Sequence, residues 1–446
     1  MRLASSVIAV LLIGTGCGNK APAGDDSMSD GGIGDDGGGD DGGHNGQQPT
    51  NVMLTMNHRP TNAAMYSFLV AYRDGGGAWA LAPAPSGDVY TLPIYAPAYS
   101  VAWTCISAGG TPQARQVSEL QFAISERTAL SVDVPPRCTD AYSNVQLHGT
   151  ISNSGPATTY IVKFGDRTAI ANQQNQFTIV TPPGTHDLVV LSTGGINIGN
   201  DLVTSTAYVQ RNLTVTASMD VMVDANNLED VQSFDVSLLT GGVRNSTATI
   251  LYANGTTAQL VNDSTPFYET ESLADDQMIA GDVYDQQMTV ASLGSSVSSS
   301  LATATPDVLE WVAPPDLGAV TATAALTPYP RVTSTWTAYA GAVGYTWLGS
   351  QTPIASGTNP CGTGSCSITW SAQLSAGVIG ATGSYTMPDL SGLAGWNPAL
   401  QMVTGTKAAG GVQAMTSTRA GDFPPLLPPV VGTSRTFATG ELSVTP

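Results

Sequence analysis

The sequence predicts an all-β protein: tandem β-sandwich domains behind a disordered N-terminal stalk. Three observations predict it. Apolar residues alternate with a period of two in short runs broken by Pro, Gly and Asn, and helical periodicity is nearly absent. Charged residues make up 11% of the chain while Thr, Ser, Gly and Ala are abundant, a balance suited to solvated sheets. Segments also recur at spacings of 87 and 89 residues, the length of one sandwich and far too long for a solenoid unit or propeller blade. The roughly 400 residues behind the stalk make room for about two to four such domains.

The chain opens with Met1-Arg2, an apolar run Leu3–Ile13, the small residues Gly14-Thr15-Gly16, and Cys17. A positive start, a short apolar run and small residues before a cut make a secretory signal. The run is about half of the roughly 20 residues a membrane span needs. A cysteine directly after the small residues resembles the lipobox of bacterial lipoproteins, with Gly14 where that motif usually carries Leu. The resemblance implies a signal peptide over 1–16 and acylation, palmitate included, at Cys17. With Gly rather than Asp at position 18 it also implies an outer-membrane address. Two or three acyl chains, at about 0.8 kcal/mol per buried CH2, make a stable anchor. The membrane is thus an expected partner, reached through an N-terminal lipid.

The stalk, 17–50, follows. Gly18–Thr50 carries seven Asp and one Lys with no aromatic residue. It lacks the apolar surface to offset its ordering entropy, so it reads as a flexible coil spanning roughly 30 Å. Asp35-Asp36-Gly-Gly-Gly-Asp40-Asp41 does not fit a calcium loop, which places ligands at alternating positions and closes with a bidentate Glu. The formal charge is −19; Arg2 adds one positive charge and the stalk carries −6, which leaves −14 on residues 51–446. An acidic folded part disfavours nucleic acid and anionic lipid as partners.

Within 51–446 the first repeat spans 51–140 and the second 141–227. Phe68–Asp74 matches Tyr160–Asp166, each alternating aromatic and aliphatic residues up to a turn-forming Asp. Val89–Leu92 matches Gln176–Ile179, Tyr99–Trp103 matches His186–Val190, and Leu130–Val134 matches Met219–Val223. A weaker third copy, 228–313, carries Thr249–Tyr252, Phe267-Tyr268, Met278–Ala280 and Asp307–Trp311. The phrase Gln176-Phe-Thr-Ile-Val-Thr-Pro-Pro-Gly-Thr-His-Asp-Leu-Val-Val190 pairs two alternating strands through a Pro-Gly turn. It resembles the hairpin of carboxypeptidase-regulatory-like and transthyretin-like domains, which implies accessory, non-catalytic sandwiches.

Val312-Ala-Pro-Pro-Asp316 marks a boundary before the last domain, 314–446. Val332–Trp336, Gly341–Trp347 and Ser367–Trp370 read as strands, followed by Ser384–Trp396 with Leu390 and Leu393 at a corner. This order resembles the middle of a fibronectin type III domain. The Tyr that the family carries on the next strand is missing, and Leu400–Val403 occupies that stretch. Arg435–Val444 reads as the closing strand behind a Pro-rich connection, Asp422–Val430.

Beyond Cys17, the cysteines are Cys105, Cys138, Cys361 and Cys366, which allow three disulfide pairings. The local one, Cys105–Cys138 with Cys361–Cys366, keeps each bridge within one domain; loop entropy would give about 3–4 and about 2 kcal/mol. Zinc at Cys361–Cys366 lacks further ligands, because all four histidines precede residue 187.

The chain carries no nucleophile elbow, zinc-protease, phosphate-loop or dinucleotide motif. His44, His58, His148 and His186 have no ligand spacing. The carboxylate pairs Glu229-Asp230 and Asp275-Asp276 fall at a domain boundary and a turn, where acidic residues serve local hydrogen bonding rather than glycoside hydrolysis. Exposed aromatic rings can stack on sugars, and Trp79, Tyr95, Trp347 and Trp396 are the candidates, with Trp103, Trp336 and Trp370 assigned to cores. The four Asn-x-Ser/Thr matches, at Asn212, Asn245, Asn254 and Asn262, are chance in a bacterial chain rich in Thr and Asn. The expected function is a non-enzymatic cell-envelope lipoprotein that displays sandwiches for binding, adhesion or spacing, without a cofactor. The alternative is a carbohydrate-binding surface lipoprotein. The expected partners are the membrane and an envelope protein or glycan.

Overall fold

A computed structural model describes residues 48–57, 59–60, 66–107, 113–134, 144–155, 159–193, 202–236, 243–263, 268–292, 294–304, 314–352, 366–380, 382–424 and 429–446. The signal peptide, Cys17 and most of the stalk lie outside these residues. The chain is all-β. The first unit runs β1 (Thr50–Asn57), β2 (Tyr66–Asp74), β3 (Ala80–Leu81), β4 (Val89–Ile94), β5 (Ala98–Ser107), β6 (Gln113–Ala123) and β7 (Ala129–Asp133). The second runs β8 (Val145–Ser152), β9 (Thr159–Phe164), β10 (Arg167–Ile170), β11 (Gln176–Thr181), β12 (Gly184–Thr193), β13 (Leu202–Val215) and β14 (Met219–Asp224). The third runs β15 (Glu229–Asp230), β16 (Gln232–Val236), β17 (Val243–Leu251), β18 (Thr257–Asp263), β19 (Tyr268–Ser272), β20 (Val283–Ser292) and β21 (Ser295–Thr303). The fourth runs β22 (Thr321–Ala325), β23 (Arg331–Thr337), β24 (Gly344–Gln351), β25 (Cys366–Ser375), β26 (Thr382–Thr386), β27 (Ala408–Ser417) and β28 (Ser434–Val444). Among the described residues no helix is long and apolar enough to cross a membrane.

Each unit splits its strands between a small sheet of its own and one large sheet. In the first unit the small sheet is β4-β1-β7, with β1 parallel to β7 and antiparallel to β4. The second repeats this connectivity as β11-β8-β14, again with one parallel pair. The recurring sequence segments occupy corresponding strands: β2 and β9, β4 and β11, β5 and β12, β7 and β14. The small sheets of the third and fourth units are β16-β19 and β22-β23-β26.

Two stretches that read as strands take another form. Met278–Ala280 lies in the loop between a 3-10 turn (Asp275–Gln277) and β20. Asp282 holds this loop by accepting a hydrogen bond from Ile279 N–H (3.0 Å). Leu400 ends a second 3-10 turn (Pro398–Leu400) capped by Asn397, and the strand after the Leu390–Leu393 corner begins only at Ala408. Phe267 and Asp307–Trp311 lie outside the described residues.

The remaining strands form one continuous ribbon in the order β10-β9-β12-β13-β18-β17-β20-β21-β28-β27-β24-β25-β6-β5-β2-β3, with β15 laid beside β13. Every join is antiparallel except β6 with β25. Among the described residues β10 and β3 pair on one side only, so the ribbon has two ends and is not a closed barrel. The spatial order of the units is second, third, fourth, first.

Alternate side chains of a strand point to opposite faces, and in this ribbon both faces are used. Trp103 and Leu120 join the first unit's core, whereas their neighbours Ala102 and Val117 join the fourth unit's core with Trp336, Trp347 and Trp370. On β12, Leu188 and Val190 face the second unit's small sheet, and Val189 and Leu191 pack with Ile250, Leu260 and Tyr284 of the third. The runs Tyr99–Cys105 and Leu188–Thr193 are therefore buried at every position. Burial on both faces calls for continuous apolar runs rather than alternation.

Candidate functional site

The second unit's small sheet turns Leu147, Ile151, Phe177 and Ile179 inward and leaves the intervening positions outward. Register places His148 of β8 opposite Thr178 of β11 and Asp220 of β14. The three side chains form a row across an open face, and Thr150, Gln176 and Met222 form the next row. Together they bound a trough of 530 Å³. His148 Nδ1 lies 3.0 Å from Thr178 Oγ1, and Met222 is 77% exposed. Gly149 beneath the trough is required, because a Cβ there would sit 2.0 Å from the ring of Phe177.

The fold itself does not demand this row. By the repeat alignment Thr178 and Asp220 correspond to Thr91 and Ser131, which lie opposite Met53 and Thr55 of β1, and none of these four carries a titratable group. Hydroxyl, imidazole and carboxylate in line have the composition of a hydrolytic triad. However, β8 is the central strand, and its backbone N–H groups are engaged by β11 and β14, so none is placed to stabilise an oxyanion. The arrangement suits recognition of a polar ligand by hydrogen bonds. Sequence reasoning missed it: His148 reads alone, as a residue beside Gly149. The available signal was the alternation of Val145–Ile151, which puts His148 on an outward position.

A denser polar cluster joins the second and third units. A β-bulge after His186 presents Asp187 to Arg211 on β13. Arg211 Nη1 donates to Asp187 Oδ2 (2.8 Å), Nη2 donates to Asp282 Oδ2 (2.6 Å) and to the Gln277 carbonyl, and the guanidinium lies 4.8 Å from the Tyr252 ring. Asp187 Oδ1 also accepts from Asn212 N–H (2.8 Å) and Asn254 Nδ2 (2.6 Å), and Asp282 Oδ1 from Ala253 N–H (2.9 Å). Burial lowers the Arg211 guanidinium, but its hydrogen bonds to both carboxylates and their charges together outweigh that and raise it above its ordinary value, and burial pushes the Tyr252 phenol well up. The carboxylates are engaged by protein donors, so the cluster is a clamp between units.

The predicted stacking aromatics are buried to different degrees. Trp347 is wholly buried, which removes it as a sugar platform. It occupies an inward position of β24, packs 4.9 Å from Tyr385, and its indole N–H donates to Ser334 Oγ (2.9 Å). Trp396 is half-buried and stacked on Tyr329 at 5.9 Å, with Trp370 at 6.2 Å. Trp79 is half-buried beneath Arg73, whose guanidinium lies 5.2 Å from the ring. Tyr95 is half-buried at the end of β4, where its N–H donates to Asp74 (3.1 Å). Trp79 and Trp396 both pack against the core in which Trp347 lies. Trp103, Trp336 and Trp370 are core residues.

His186 packs edge-on against Phe164 (5.2 Å). Glu229-Asp230 forms β15, and Asp275-Asp276 opens a 3-10 turn. Among the described residues no group of three or more His, Cys, Asp or Glu is placed to hold a metal. Cys105 and Cys366 are both disulfide-bonded. They stand on β5 and β25 with β6 between them, opposite Gln116 and Gln113. Two strand spacings, about 9–10 Å, exceed the roughly 7 Å between Cα atoms that one disulfide spans, so they do not bond to each other. Cys138 and Cys361 lie outside the described residues. No protein-family model matches the chain, and no curated protein matches it.

Proposed function

We propose that this chain is a non-enzymatic lipoprotein of the bacterial outer membrane, anchored through acylated Cys17, whose sandwiches act as one display block for binding or adhesion. The observation that carries this reading is the shared ribbon. Sandwiches strung on linkers would serve as a spacer. Units welded through one sheet suit a block that presents fixed outer faces, and the trough around His148 and Asp220 is a face of that kind. The identical connectivity of the first two units supports reading them as transthyretin-like repeats. The arrangement β22-β23-β26 against β25-β24-β27-β28 supports a fibronectin type III-like fourth unit. The bonded state of Cys105 and Cys366 suits an oxidising envelope, and we assign the bridges as Cys105–Cys138 and Cys361–Cys366.

Intact-mass analysis of the membrane fraction tests the anchor. A mature N-terminus at Cys17 carrying acyl chains, with Cys17→Ala moving the protein to the soluble fraction, is the expected result. An unmodified N-terminus at any other residue overturns it. Deletion should change surface attachment, and replacing His148 and Asp220 with Ala should reproduce part of that loss.

A further inference from the structure

The ribbon's one parallel join, β6 with β25, unites the first and fourth units, and a carboxylic acid is buried toward its end. Glu119 is 2% exposed. Its Oε1 accepts from Gln121 Nε2 (2.7 Å) and its Oε2 from the Tyr385 hydroxyl (2.8 Å). None of the ion pairs among the described residues includes it. Its immediate neighbours across the sheet are Ala102 of β5 and Ala372 of β25, which carry no charge. The titratable groups that face it are Tyr385 from β26, Tyr329 from the turn before β23, and Arg73 from β2. On its own strand Arg115 shares the face and donates to the Ala399 carbonyl (3.2 Å).

Further contacts between the two units lie past the end of the paired stretch. Beyond its finish Glu126 accepts from Gly377 N–H (2.9 Å) and from the Ser375 hydroxyl, and Arg127 donates to the Gly421 carbonyl (2.6 Å). Glu119 is thus the one carboxylate on the paired stretch of β6 that faces into the fourth unit.

We propose that Glu119 is a proton-operated latch between the first and fourth units: protonated, it is a neutral part of the shared core, and deprotonated, it is a buried anion that loosens the β6–β25 join. Burial pushes its carboxyl up to about 7 from the ordinary 4.5, against the smaller lowering by its hydrogen bonds and by Arg73. An opened join returns the group to water and to its ordinary value. Below 4.5 both states hold the proton and opening is independent of pH. Between 4.5 and about 7 the closed state holds one more proton than the open state, so opening becomes easier as pH rises. Above that range both are ionised and the dependence levels off.

Hydrogen exchange of the β6 and β25 amides in the full chain, corrected for the intrinsic rate, tests the latch. From about pH 5 to pH 7 the opening constant should rise about fortyfold, while β12 and β13 stay level. E119Q should abolish the rise. The same rise in E119Q, or no rise in the wild-type chain, overturns the proposal. Should E119Q not fold, a carbon-13 titration of the Glu119 carboxyl in the wild-type protein decides. A midpoint displaced upward by at least about one unit supports the latch, and a smaller displacement overturns it.

Discussion

Arg211 shows how much one side chain can hold. It bridges two carboxylates that are almost wholly buried, from different units. Arg211→Met removes the cation and leaves both anions unpaired, which should cost about 3–5 kcal/mol in denaturant unfolding. Replacing Asp187 and Asp282 together with Asn in the same chain should recover part of that loss. Gly149 is a second such position. The Phe177 ring occupies the space a Cβ would need, so Gly149→Ala should cost about 1–3 kcal/mol and distort the trough above it. A cost below that range in thermal unfolding would mean that Phe177 has room to swing away. Neither residue declares itself in the sequence. Arg211 reads as an exposed strand arginine because its partners lie 24 and 71 positions away.

At the scale of elements, the alternating strands were legible and their second faces were not. Val332–Trp336, Gln176–Ile179 and Leu130–Val134 each bury one side, so period-two reading places them correctly. Leu188–Leu191 breaks the alternation, and that break marks burial on both sides, whereas Tyr99–Cys105 still alternates because its second face carries only Ser100, Ala102 and Thr104. The prediction is specific: Leu191→Ala, on the face turned to the third unit, should cost about 2–5 kcal/mol like any core truncation. A cost near zero would show that face to be solvated. The parallel join of β6 with β25 left no local trace, because pairing partners some 250 residues apart impose no pattern on either strand. Trp347 was misread for a related reason. Its neighbours Thr346 and Leu348 alternate with it, and sequence alone does not say which of the two sets faces in.

At the scale of the molecule, the order second, third, fourth, first makes the fourth unit the keystone. It meets the third through β21–β28 and the first through β6–β25. A chain ending at residue 313 would leave the eleven-residue edge of β6 and the face bearing Ala102, Val117 and Glu119 exposed. Such a chain should self-associate in size-exclusion chromatography, as long unpaired edges do. The intact chain should unfold calorimetrically without an early transition assignable to the first unit. Independent melting of that unit would count against a shared core.

The parallel join also sets a timetable. A chain that emerges at about 5–20 residues per second presents β6 long before β25. The 253 positions between Ser118 and Ser371 correspond to a wait of roughly 10–50 s. The first unit is thus the first to emerge and the last to be finished. Through that interval its open edge needs a chaperone, or dilution, to keep it from pairing with another chain.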